Sequence, residues 1–232
     1  MEEAGVWDGL YEISTWIIPV FAGIILHEIA HGYAALYFGD RTAYKAGRLS
    51  LNPLRHVDPF GTVIFPLLLV LSRSPFLFGW ARPVPVHFGA LDNPKRDMVW
   101  VALAGPAVNF ILALSALGVL ALCKAFGYVP SFWMQMTLVN TVLFNFSIMV
   151  FNLIPVLPMD GGRILTGLLP VKWAVAFSKT EKYGFMVLVS VLILLPLLGD
   201  YFGQNWNFVV HFLGLAVQGL VHFFARAAGI IG

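Results

Sequence analysis

The sequence predicts an all-α polytopic membrane protein of five to six transmembrane segments, with one re-entrant element and a short interfacial strand pair. Three observations predict it. Of the 232 residues, 59% are apolar and only 11% charged, whereas soluble domains carry about 25% charged residues. The apolar residues gather into runs of about 20, the length a helix needs to cross the hydrocarbon of a bilayer. The charges collect in the short stretches between those runs. Mean hydropathy is +0.82. A single cysteine, Cys123, excludes an intramolecular disulfide framework and any multi-cysteine zinc or iron-sulfur site. Fourteen Lys and Arg against twelve Asp and Glu leave +2, so no nucleic-acid partner is expected.

The elements follow in order. The opening stretch, MEEAGVWDGLYE, is acidic and lacks a small-residue cleavage site, so the first apolar run, 13–38, is read as retained and not as a signal peptide. The second run, 60–80, carries Pro66, Arg73 and Pro75, which disfavour a straight spanning helix and favour a re-entrant one. The Pro-rich stretch 81–97 is expected to form the strand pair at the interface. Runs at 98–123 and 132–158 complete a core of about 13–170. A surface helix at 171–183 then leads to two accessory spans within 184–225, all in one domain covering 1–232. With the second run re-entrant, every Lys and Arg except Lys124 falls on one face. The positive-inside rule then puts the N-terminus outside.

Inside the first run stands IILHEIAHGYAALYFG, where His27, Glu28 and His31 are the only carboxylate or imidazole groups between Glu12 and Asp40. A carboxylate in mid-span costs about 2.5–3.5 kcal/mol on insertion scales, so its presence asks for a function. On a helix His27 and His31 lie one turn apart, about 6 Å along the axis, and project from one face. This is the HExxH arrangement, in which two neutral imidazoles hold Zn²⁺ and the glutamate takes a proton from the attacking water. The competing reading is a polar helix interface or a proton path.

A hydrolytic zinc site wants a third protein ligand and one open position. A metzincin would need Gly at 34 and His at 37, where Ala34 and Tyr37 stand. No glutamate follows Glu28 until Glu181, in the charged 171–183 stretch. Among the aspartates, only Asp160 is not at a segment edge or in a polar loop. It closes FNLIPVLPMDGGRIL, where Pro155, Pro158, Gly161 and Gly162 should unwind the helix, and broken helices at membrane depth usually line a cavity. The alternative for Asp160 is a cap on the turn that begins at Gly161.

These residues resemble the site-2 protease family of intramembrane zinc metalloproteases, over about 20–170. That family pairs HExxH with N-x-x-P-x-x-x-x-D-G on a later span, and here they read HEIAH at 27–31 and NLIPVLPMDG at 152–161. GWARPVPV at 79–86 and ALAGPAVN at 102–109 look like the family's interfacial strand segment and its Gly-Pro-x-x-Asn helix. Met159, where Leu is common, and His87, where Asn is frequent, depart from the pattern without touching a proposed ligand. The resemblance implies one zinc ion per chain held by His27, His31 and Asp160, with Glu28 as base and Asn152 holding substrate or oxyanion. It implies a transmembrane protein as substrate, a surrounding of membrane lipids and a prokaryotic plasma membrane. With no room for an inserted PDZ-like domain, the chain looks like a minimal member.

Other polar residues admit two uses. Asn109, a buried amide after Gly105 and Pro106, either donates to a substrate carbonyl or bridges helices, and Asn140 and Asn145 share that ambiguity. His56 and Asp58 form a second metal site or, more simply, an interface hydrogen-bond pair. His211 and His222 lack a neighbouring carboxylate and read as packing or interfacial residues. A rival function is a membrane metal transporter or sensor without hydrolysis. In that case Glu28→Gln should reduce flux, whereas in a protease it should keep the metal and abolish cleavage.

Overall fold

The computed structural model describes residues 2–71 and 79–231, and among these every regular element is helical. α1 (Glu2–Tyr37) is an apolar helix with Pro19 inside it. It stops short of the buried Asp40, whose carboxylate accepts from the backbone N–H and the hydroxyl of Thr42 at the start of the short α2 (Thr42–Lys45). A 3₁₀ turn at Pro53–Arg55 and a π-turn at Pro59–Ile64 lead into α3 (Phe65–Leu71). α4 (Pro94–Ala125) begins on a proline, which has no N–H to leave unpaired in the first turn. The buried Asp97 carboxylate accepts from the N–H of Asn93 at 2.7 Å, tying down that first turn. α5 (Phe132–Asn152) is capped by Ser131, whose side chain accepts from the N–H of Met134.

Beyond a break at 153–159 come α6 (Asp160–Leu168), α7 (Val171–Ser178) and α8 (Glu181–Val189). A π-turn, Ser190–Leu194, joins α8 to α9 (Leu195–Tyr201), and α10 (Phe208–Ala227) closes the chain.

Helices α1, α4 and α5 pack against one another, α6 lies along the start of α4, and α10 rests mainly on α5. Ala113, Ala116 and Leu117 of α4 meet Val142, Phe146 and Met149 of α5 and Val217 and Ala225 of α10. The Phe110, Phe146 and Phe224 rings pack there in tilted and edge-on pairs at 5.4–6.2 Å between centroids. Among the described residues, five helices are long and apolar enough to cross a bilayer, and their apolar windows are only 11–33% buried. Large apolar side chains such as Ile17, Phe21, Ile111 and Leu122 stay on the outside. Helices apolar on both the packed and the outward side suit a lipid surround, as the composition predicts.

Two expectations need correction. No strand pair forms among the described residues of 81–97. Pro83 and Pro85 have no N–H to give a ladder, and the N–H between them, that of Val84, goes to Glu28. The side assigned to Arg226 also changes. Lys124 donates to the carbonyls of Gly229 and Ile230, so the end of α10 lies beside the end of α4 that was expected to stand alone opposite the other cations. The lysine caps free carbonyls after a helix end, which a loop-charge count does not register. For the run at 60–80, Trp80 donates to the Gly61 carbonyl at 3.1 Å, the Thr62 hydroxyl to the Trp80 carbonyl at 2.8 Å, and the Arg82 N–H to the His56 carbonyl at 2.8 Å. The two ends of the run therefore lie beside each other. Its Arg73 and Pro75 lie outside the described residues.

Candidate metal centre

His27 and His31 occupy successive turns of α1, and the break after α5 swings Asp160 onto them at the start of α6. The two Nε2 atoms stand 3.0 Å apart. Asp160 Oδ2 lies 3.3 Å from His27 Nε2, and Oδ1 lies 3.3 Å from His31 Nε2. The three side chains are largely buried, and they form the one group of three or more such ligands gathered among the described residues. Met159 occupies the N-cap position of α6 and Asp160 is its first residue, with the carboxylate turned to the histidines instead of capping the helix.

The distal ring nitrogens decide what this cluster can do. His27 Nδ1 is 2.6 Å from Asn109 Oδ1, and His31 Nδ1 is 2.7 Å from the Val101 carbonyl. Both partners are oxygens that can only accept, so both Nδ1 atoms carry the proton and the neutral rings present bare Nε2 lone pairs. Those lone pairs face each other and a carboxylate, and buried Asp160 Oδ2 has no hydrogen-bond partner. A single bound cation would satisfy all of these acceptors at once. The separations also fit one. Ligand bonds of about 2.0–2.1 Å arranged tetrahedrally put ligand atoms about 3.3 Å apart. Residues and geometry thus fit a zinc-sized ion bound by two imidazoles and a carboxylate.

Gly105 of α4 leaves the space for it. A Cβ there would fall 2.4 Å from His31 Nε2 and 2.6 Å from His27 Cε1, so any side chain would push α4 off the histidines. Gly161 does the same for the approach of Asp160. Its Cβ would lie 2.2 Å from the Leu153 carbonyl oxygen, and the close return of the chain after α5 depends on that atom being absent.

Glu28, half-buried beside the histidines, accepts the Val84 N–H on Oε2 at 2.7 Å. Asn109 is fully buried, and both of its N–H bonds are engaged, by the Gly23 carbonyl and Asn145 Oδ1. Asn152, at the last turn of α5, donates to the Ile148 carbonyl at 3.0 Å. Asn140 donates to Thr15 Oγ1 between α5 and α1. Away from the site, His56 Nε2 donates to the Ser50 carbonyl and Asp58 accepts the Gly61 N–H, which are local fold contacts. His211 and His222 are exposed on α10. Sequence reasoning had no means of finding the Val101 carbonyl or the Val84 N–H, because main-chain partners carry no residue signature. The Gly-Pro pair at 105–106 was the available signal for Gly105.

Just beyond α1, burial pushes the Asp40 carboxyl up, but the Thr42 hydroxyl and the N–H groups of His87 and Thr42 outweigh it and hold Asp40 below the usual carboxylate range.

Residues 125–195 match the model of peptidase family M50. The chain is 40% identical over 197 residues to the "Putative zinc metalloprotease YwhC" of Bacillus subtilis, covering 80% of this chain and 82% of that one. It is 28% identical over 207 residues to the "Putative zinc metalloprotease Rip2" of Mycolicibacterium smegmatis, covering 88% of this chain and 74% of that one. The "Zinc metalloprotease MJ0392" of Methanocaldococcus jannaschii is 27% identical over 188 residues, 78% of this chain and 42% of the relative. No solved structure matches the chain.

Proposed function

The chain belongs to peptidase family M50, the site-2 proteases, and is an intramembrane zinc metalloprotease; we propose that His27, His31 and Asp160 hold its zinc and that Glu28 is its general base. The observation that carries this assignment is the convergence of two imidazole Nε2 atoms and a carboxylate, 3.0–3.3 Å apart, while the Nδ1 side of each ring already faces an acceptor oxygen. When bound, the ion supplies Lewis acidity that polarises the scissile carbonyl and acidifies the attacking water.

The chain's own groups do the rest. The Val84 N–H holds Glu28 Oε2, which leaves Oε1 to take a proton from water as the water oxygen bonds to the carbonyl carbon. As the C–N bond breaks, Glu28 returns that proton to the leaving amine, and no covalent enzyme intermediate forms. Asn152 turns its amide from the Ile148 carbonyl to the developing oxyanion. The substrate is a transmembrane segment of another protein, and it must unwind locally because a regular helix shields its carbonyls. The enzyme works in a prokaryotic plasma membrane, in keeping with its bacterial relatives.

Zinc quantification on detergent-purified wild type, His27→Ala, Asp160→Ala and Glu28→Gln, together with cleavage of a model transmembrane substrate, tests the assignment. Wild type should carry one zinc per chain, His27→Ala and Asp160→Ala should lose it, and Glu28→Gln should keep it without cleaving. Full zinc in Asp160→Ala would remove Asp160 from the ligand set.

A further inference from the structure

We infer that Asn145, one helix removed from the metal ligands, sets the ring orientation and tautomer of His27 by way of Asn109, which makes the two amides positioning residues of the site. The inference rests on the metal-centre assignment above. A carboxamide can offer an imidazole either its oxygen or its nitrogen, and the two choices have opposite consequences. Oxygen toward Nδ1 places the ring proton there and leaves Nε2 bare. Nitrogen toward Nδ1 sends the proton to Nε2, the atom that faces Asp160 and the other histidine.

What makes Asn109 offer oxygen is its NH₂ end, which donates to the Gly23 carbonyl at 3.1 Å and to Asn145 Oδ1 at 2.8 Å. Asn145 in turn cannot flip freely, because its own NH₂ donates to the Thr141 carbonyl at 2.9 Å within α5. The polarity therefore runs in one direction, from a main-chain carbonyl of α5 through two side-chain amides to His27. Asn109 and Asn145 are both 0% exposed. Reversing either one would set acceptor against acceptor with no solvent to relieve it, at the cost of an unmet buried group. His31 needs no such device, since its partner is the Val101 carbonyl, fixed in the main chain of α4. Only one of the two histidines depends on side chains for its tautomer.

Asn140 supplies the internal comparison. It is a buried amide on the same helix, five residues before Asn145, and it donates to Thr15 Oγ1 on α1 with no link to either histidine. If buried amides here serve only to hold helices together, Asn140 and Asn145 should matter alike to the metal.

The experiment is a competitive zinc titration against a chromophoric chelator on the detergent-purified full chain, with the unfolding temperature of each zinc-free protein recorded. Asn109→Leu and Asn145→Leu should weaken zinc binding by about 10–100-fold, the usual effect of losing an outer partner of a ligand histidine. Asn140→Leu should bind zinc as wild type does. Asn145→Asp, whose protonated carboxyl keeps an acceptor facing Asn109 and an O–H facing the Thr141 carbonyl, should restore most of the affinity lost in Asn145→Leu, and Asn145→Ala replaces the leucine variant should that one not fold. Wild-type affinity in Asn145→Leu, or an equal loss in Asn140→Leu, would overturn the inference. The metal-centre assignment fails separately, through a His27→Ala protein that binds zinc as tightly as wild type.

Discussion

Around each chemically active side chain, the group that matters most is often one with no chemistry of its own. Gly105 is such a residue, because its hydrogen is all that fits between α4 and the two imidazoles. Gly105→Ala should weaken zinc binding by at least about tenfold while leaving the helix content unchanged, as read by the same chelator titration and by circular dichroism. Asp40 is a second case. Its carboxyl sits below the ordinary value in the folded chain, so its stabilising effect is complete above the unfolded value of about 3.9 and fades as the pH falls through the depressed folded one. Asp40→Asn should therefore be less stable than wild type at neutral pH, and thermal unfolding from pH 7 down to 3 should show that gap narrowing. At this scale HEIAH at 27–31 was readable outright, since the four-residue spacing on a helix leaves the imidazoles no other arrangement than side by side. Asp160 was reached by elimination. Asn109 was left between two uses, because a buried amide has the same letter whether it meets a substrate or a histidine.

Among the elements, the break between α5 and α6 is the one on which the site turns. Pro155 and Pro158 cannot continue α5, and Gly161 lets α6 start against the Leu153 carbonyl. Gly161→Ala should cost about 1–3 kcal/mol through overpacking and displace Asp160. The expected result is a lower unfolding temperature together with reduced zinc content. Arg163 of α6 pairs with Glu181 at the head of α8 and lies over the Phe88 ring at 5.0 Å, so the first accessory span is tied to the helix that carries Asp160. Glu181→Gln should loosen that tie, measured as faster proteolytic nicking between α7 and α8 with zinc still bound. The spans themselves were legible from run length. The strand pair was not, because alternating prolines look extended in sequence and give no sign that their single spare N–H is already committed to Glu28.

For the molecule as a whole, two kinds of surface meet in one body, an apolar exterior and a small polar interior built from α1, α4, α5 and α6. In lipid there is little hydrophobic gain in bringing helices together, so close packing and interhelical hydrogen bonds carry the association. Phe146, fully buried between Phe110 and Phe224, belongs to that packing, and Phe146→Ala should lower the unfolding temperature without altering zinc stoichiometry. Composition and run length by themselves determined that this chain lives in a bilayer. The spacing of His27 and His31 determined that it offers a pair of ligands, since helical periodicity is a local property of the backbone. Only the tertiary structure decided that Asp160 comes within 3.3 Å of both imidazoles, that the Val101 carbonyl and Asn109 Oδ1 face the two Nδ1 atoms, and that Lys124 shares its end with Gly229. Each of these joins residues far apart in the chain, and such contacts depend on how helices pack and which carbonyls remain free, which no single stretch of sequence contains.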